Sequence, residues 1–137
     1  MEKDTPFITE GDGKADVEIS LIEACGIKFE DYVEDNSILT KEIFEAHLNE
    51  LLDLVNKVNH YVAYLILGVL ILKTGTNLTE DLREKLIKAA AWENNRKDWK
   101  LKDTDEDREF LDLRKEILLD FQEKIRNHKP GVITDIF

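Results

Sequence analysis

Residues 59–75, NHYVAYLILGVLILKTG, decide the fold. From Val58 to Leu72 the chain carries no Asp, Glu, Lys or Arg, although 36% of all its residues are charged. A membrane span, a coiled-coil seam or a core helix could each absorb such a run. A span needs about 20 apolar residues, and this run has 15, Asn59 and His60 among them. No basic cluster marks a cytoplasmic flank either. Leu65, Ile66, Leu67, Val69, Leu70, Ile71 and Leu72 would cover nearly every side of a helix, and a helix with no polar face is surrounded by other helices. The stretch therefore predicts a central core helix over about residues 60–73.

On its N-terminal side, Phe44, Leu48, Leu51, Val55 and Val58 recur in alternating four- and three-residue steps. The rhythm continues through Val62, Leu65, Val69 and Leu72. Periodicity alone permits one helix from Thr40 to Lys73, or a coiled coil. Those residues would extend about 51 Å, whereas a compact chain of this length has a radius of gyration of about 14 Å. We therefore expect a break at Asn56–Asn59, with Asn59 able to cap the next helix and the two halves folded as an antiparallel pair. The alternative is a long helix shared by a homodimer along the Phe44–Leu72 seam.

Working outward, residues 1–13 read as irregular, with Phe7 and Ile8 available to dock on the core. A first helix begins near Asp12–Lys14, carries Val17, Ile19, Leu21, Ile22 and Cys25, and stops at Gly26. Residues 27–39, GIKFEDYVEDNSI, read as an acidic connection, and a second helix starts near Thr40. Gly75 closes the core helix. Thr79 is the natural N-cap of the next one, whose inner face is Leu82, Leu86, Ile87, Ala90 and Ala91. A last helix starts at Thr104-Asp-Glu-Asp107 with Phe110, Leu113, Ile117, Phe121 and Ile125 inward. It ends before Pro130-Gly131, leaving a tail over 130–137. The sum is an all-α protein: one helical domain over 1–137, a compact bundle of about five helices around the apolar one.

Charge narrows the choice of partner. The net charge is −11, and residues 1–39 hold 11 acids against 3 lysines. Such a field repels nucleic acid and anionic lipid, both of which are bound through Lys and Arg, and it attracts and steers a basic protein. Acidity also simply keeps small proteins soluble. The single cysteine, Cys25, is compatible with a reducing compartment. The stretch MEKDTPFITEGDG has neither the basic nor the apolar region of a signal peptide, so the expected location is cytoplasmic.

Reactive chemistry finds little support. Asp103, Asp105 and Asp107 have the spacing of a calcium loop, but Arg108 and Arg114 stand where that loop needs a glycine and a bidentate glutamate. His47, His60 and His128 fall at no metal-binding spacing from one another. Cys25 lies near a helix C-terminus, where the dipole discourages a thiolate. Lys73–Asn77, KTGTN, lacks the ending of a phosphate loop, and Ser20 and Ser37 have no nucleophile elbow around them. The expectation is a protein that is not an enzyme, with no cofactor and no metal.

The segment YLILGVLILKTGTNLTEDLREKLIKAAAWENNRKDW, residues 64–99, joins an apolar helix, a glycine turn, a Leu-Thr-Glu-Asp-Leu-Arg helix start and two tryptophans. REFLDLRKEILLDFQEKI and a Pro-Gly tail follow. Over roughly residues 40–131 this pattern resembles small acidic helical bacterial proteins of uncharacterised families, some of which look like immunity proteins of polymorphic toxin systems. The resemblance implies sequestration of a toxin or another basic protein. With the charge asymmetry, it points to a cytoplasmic acidic binding protein in which Glu30, Asp31, Glu34 and Asp35 steer and pair with a basic partner. Phe29, Tyr32 and Trp99 would be the buried anchors, since tryptophan and other aromatics often anchor interfaces. Trp92 and Trp99 could equally pack over the core edge. The alternative function is a structural or regulatory helical module, monomeric or homodimeric.

Overall fold

The computed structural model describes residues 14–58, 61–91 and 105–134. Seven α-helices occupy them: α1 (Lys14–Ala24), α2 (Phe29–Glu34), α3 (Lys41–Ala46), α4 (Leu48–Val58), α5 (Tyr61–Thr74), α6 (Glu80–Ala89) and α7 (Asp105–Asn127). A 3-10 turn, Asn36–Ile38, links α2 to α3. The bundle is all-α, and α5 is its hub, packing against α1, α3, α4, α6 and α7. Every residue from Leu65 to Leu72 is buried, as expected of a helix with no polar side. At 14 residues α5 falls short of a bilayer crossing, and no helix among the described residues is long and apolar enough to span a membrane.

Helix α4 ends at Val58, α5 begins at Tyr61, and the two pack together. Asn56–Val58, expected within the break, are therefore helical, and Asn59, the expected cap, lies outside the described residues. The Tyr64 hydroxyl donates to Asn56 Oδ1 at 2.5 Å. In an uninterrupted helix those two residues would stand about 12 Å apart along the axis. Tyr64→Phe is therefore expected to cost about 1 kcal/mol, measured by urea unfolding. Of the residues in the Phe44–Leu72 seam, Phe44, Leu51, Val55, Leu65, Val69 and Leu72 are buried inside this one chain, Leu48 and Val62 are partly buried, and Val58 is 49% exposed.

Two segments differ from the sequence expectation. The connection over 27–39 contains α2, which the acidic composition concealed. The helix starting at Thr40 is two helices, broken at His47. Thr40 does cap its start, with Oγ1 accepting the Ile43 N–H at 3.2 Å. At His47 the backbone N–H turns to the Phe44 carbonyl, and the imidazole Nδ1–H takes over the Ile43 carbonyl at 2.9 Å. A side chain that can replace its own backbone donor makes such a break inexpensive.

Helix α7 buries Arg114, Ile117, Leu118, Phe121 and Ile125, while Leu113, expected inward, is 41% exposed. The expected Leu113–Ile117–Phe121–Ile125 series takes four-residue steps, and each overshoots a full turn by about 40°. Across three such steps Leu113 rotates out of the buried stripe. The side chain of Phe110, expected inward, and the cap Thr104 lie outside what the structure describes.

The two helix C-termini are sealed by each other's neighbours. Gly75, with φ +73°, reverses the chain after α5. Its carbonyl accepts from Gly131 N–H at 2.7 Å, and the Leu72 carbonyl accepts from Thr134 N–H at 2.8 Å. The Arg83 guanidinium, from α6, donates to the carbonyls of Ile125, Arg126 and His128 at the end of α7. His128 Nε2–H then donates to the Thr76 carbonyl at 2.7 Å. Six backbone carbonyls are thus satisfied within the fold, and three of them, Leu72, Ile125 and Arg126, are last-turn acceptors that a helix leaves unfilled. Arg83→Met is expected to lower stability by about 2 kcal/mol and to loosen the 128–134 tail first, read as faster amide exchange at Gly131 and Thr134.

Candidate functional site: an acidic helix fastened to the core

Helix α2 has the sequence FEDYVE, and its period separates two jobs. Phe29 and Tyr32, three apart, share the inner face. Their rings meet at 6.1 Å with a 40° tilt, Phe29 packs on the core, and Tyr32 is only 4% exposed. Glu30, Asp31 and Glu34 all point to solvent, with Asp35 just beyond them. Glu30 and Asp31 occupy the first turn, where the helix dipole favours negative charge. Asp35 closes the unit. Its Oδ1 accepts from the Ser37 N–H at 3.1 Å and the Ser37 hydroxyl at 2.5 Å, which hold its carboxyl below the usual carboxylate range. All of the expected partner-binding carboxylates are therefore brought together on one outer surface.

The expected anchors are placed differently. Tyr32 and much of Phe29 bind α2 to its own domain, so the apolar area assigned to a partner is already used. Trp99 lies outside the described residues. The apolar residue that α2 does present is Val33, 60% exposed at the edge of the acidic face.

Beneath α2 the charges are partly enclosed. Burial raises the Glu18 carboxyl above its ordinary 4.5, opposed by the nearby Lys73 ammonium. Burial, with Glu18 nearby, pushes the Tyr32 hydroxyl up to about 12. With its folded value raised, Glu18 holds its proton more tightly in the native chain than in the unfolded one. The associated stability is full below pH 4.5 and is lost as pH rises through the raised value. Glu18→Gln is expected to be more stable than the parent at pH 7, with the advantage shrinking at about pH 4. Paired urea titrations check this; an equal difference at both pH values contradicts it.

Among the described residues, the cysteine and the two histidines are held within the fold. Burial, with Glu50 nearby, pushes the Cys25 thiol up to about 11, so it stays protonated and unreactive near neutrality. His47 and His128 each donate to a backbone carbonyl. Among the described residues, no group of three or more His, Cys, Asp or Glu side chains could hold a metal ion. Compared with protein-family models, with curated proteins and with solved structures, the chain matches none.

Proposed function

We propose that the protein is an acidic binding module that captures a basic protein, with a toxin as the partner class implied by its resemblance to immunity-like proteins. The observation supporting this is the outer surface of α2, where Glu30, Asp31 and Glu34 are exposed together, with Asp35 following them and the exposed Val33 at their edge. Carboxylates accelerate encounter by steering the cationic partner, and the adjoining apolar side chain supplies area that loses water on contact. The helix is short, but Phe29 and Tyr32 hold it on the core, so little ordering cost falls on binding. Asp35, fixed by Ser37, adds a carboxylate already oriented for a lysine or arginine.

The experiment is a panel of purified basic and acidic proteins offered to the captured chain from about 20 to about 200 mM salt. Association with a basic member should slow at least severalfold as salt screens the field. Binding confined to acidic proteins, or to nucleic acid, contradicts the reading.

A further inference from the structure

An open cavity of about 620 Å³ lies between α2, the 3-10 turn, the start of α3, the end of α5 and the C-terminal tail. Small-molecule sites run from roughly 300 to 1,000 Å³ and are mostly apolar, with a few polar groups to fix orientation. Here the Tyr32 ring, Leu39 and Ile133 supply apolar wall, and Ile133 is 69% exposed. The charged residues of the lining are Lys41 and Lys73, and among the described residues no carboxylate lines the cavity. In a chain of net charge −11 that is a local reversal of sign.

The hydrogen-bonding groups are biased the same way. Thr40 Oγ1 already accepts from Ile43 N–H, which leaves its own proton to give. Asn36 adds an amide that can donate. The hydroxyls of Thr74 and Ser37 are occupied by the Leu70 carbonyl and by Asp35. Lys41 contacts Glu45 at 3.3 Å and keeps two further donor protons; Glu45 is itself engaged by the Asn77 N–H. Lys73 has Glu18 as its electrostatic neighbour. Neither glutamate is part of the lining. A cation at the end of α5 also suits the helix dipole, but that accounts for one lysine and not for the second.

We infer that this cavity binds a small amphiphilic carboxylate, with its apolar body against Tyr32, Leu39 and Ile133 and its anionic head held by Lys41 and Lys73. Covering Ile133 removes exposed apolar surface, and the two ammoniums give charge-assisted hydrogen bonds to the head. The inference is independent of the acidic-face reading, because it uses a different set of side chains apart from the shared Tyr32 support.

The test titrates the full chain with decanoate, decanol and decyltrimethylammonium, three probes with one apolar chain and different heads, followed by calorimetry and amide chemical shifts. Decanoate should bind about tenfold more tightly than decanol and move the amides of Thr74 and Gly131. The cationic probe, which the overall charge favours, should leave those amides in place. Lys41→Met and Lys73→Met should each weaken decanoate about tenfold, with Lys85→Met, on exposed α6 surface, unchanged. Should Lys73→Met fold poorly because Glu18 loses its neighbour, Lys41→Met and the shift map decide alone. Equal affinity for decanoate and decanol, indifference to Lys41→Met, or shifts confined to other parts of the chain overturns the inference.

Discussion

Replacing Gly68 with valine is expected to destabilise the protein by about 3 kcal/mol, a large share of the stability of a small domain. A Cβ built on Gly68 would stand 2.5 Å from Phe121 Cζ and 2.8 Å from Cε2, with Leu86 Cδ1 at 3.5 Å. Phe121 is fully buried, so its ring has nowhere to swing, and α5 and α7 must part instead. Alanine at 68 gains about 1 kcal/mol of helix propensity against the same collision and should cost less than valine. Phe121→Leu combined with Gly68→Ala should recover part of the loss, whereas Phe121→Leu alone leaves a void. Coupling of this kind, measured by a double-mutant cycle, distinguishes a direct ring-on-backbone contact from two unrelated defects. Additive effects would place the ring elsewhere.

That contact also shows how far the fold could be read from sequence. An uncharged run too short to cross a bilayer defined the core helix, and chain size required a reversal before it. The caps at Thr40 and Thr79 and the stop at Gly75 follow from local backbone chemistry, which a one-dimensional pattern records well. The break at His47 was illegible because it depends on an imidazole displacing its own backbone N–H from the Ile43 carbonyl. The burial of Arg114 and the role of Gly68 depend on which helix faces which, and no residue pattern within one helix states that. For the candidate site, composition identified the carboxylates, but dense acidity masked the two-faced α2. Phe29 and Tyr32 therefore look like free anchors in the sequence although they are α2's own fastening, and no spacing singles out Val33 as exposed. The lysine-lined cavity is assembled from residues as distant in sequence as Asn36 and Ile133, and only the folded chain unites them.

The second large effect concerns association. Reversing Glu34 and Asp35 to lysine places two cations within the surface proposed to meet a basic partner. Steering by complementary charge can raise association rates by orders of magnitude at low salt, and like charges at a contact are strongly unfavourable. The expected result is a slowing of about tenfold or more at low salt, with the gap narrowing as salt screens both proteins. Folding should be little changed for Glu34, which is exposed, and slightly weakened for Asp35, whose bonds to Ser37 are lost. Val33→Ser should act differently, mainly by speeding dissociation, because it removes apolar contact and leaves the field intact.

A global loss of acidity could slow binding without any local surface being involved, so the comparison needs a matched control. Asp112 and Glu116 are exposed on α7, which packs against α5 and α6, and their conversion to lysine changes the net charge by the same amount. The most direct measurement of the central claim is the association rate of a bound basic protein with the Glu34→Lys/Asp35→Lys and Asp112→Lys/Glu116→Lys variants side by side at low salt. If α2 is the recognition surface, the first pair slows association about tenfold and the second by no more than about threefold. Equal slowing by the two pairs, or no slowing by the first, would contradict it.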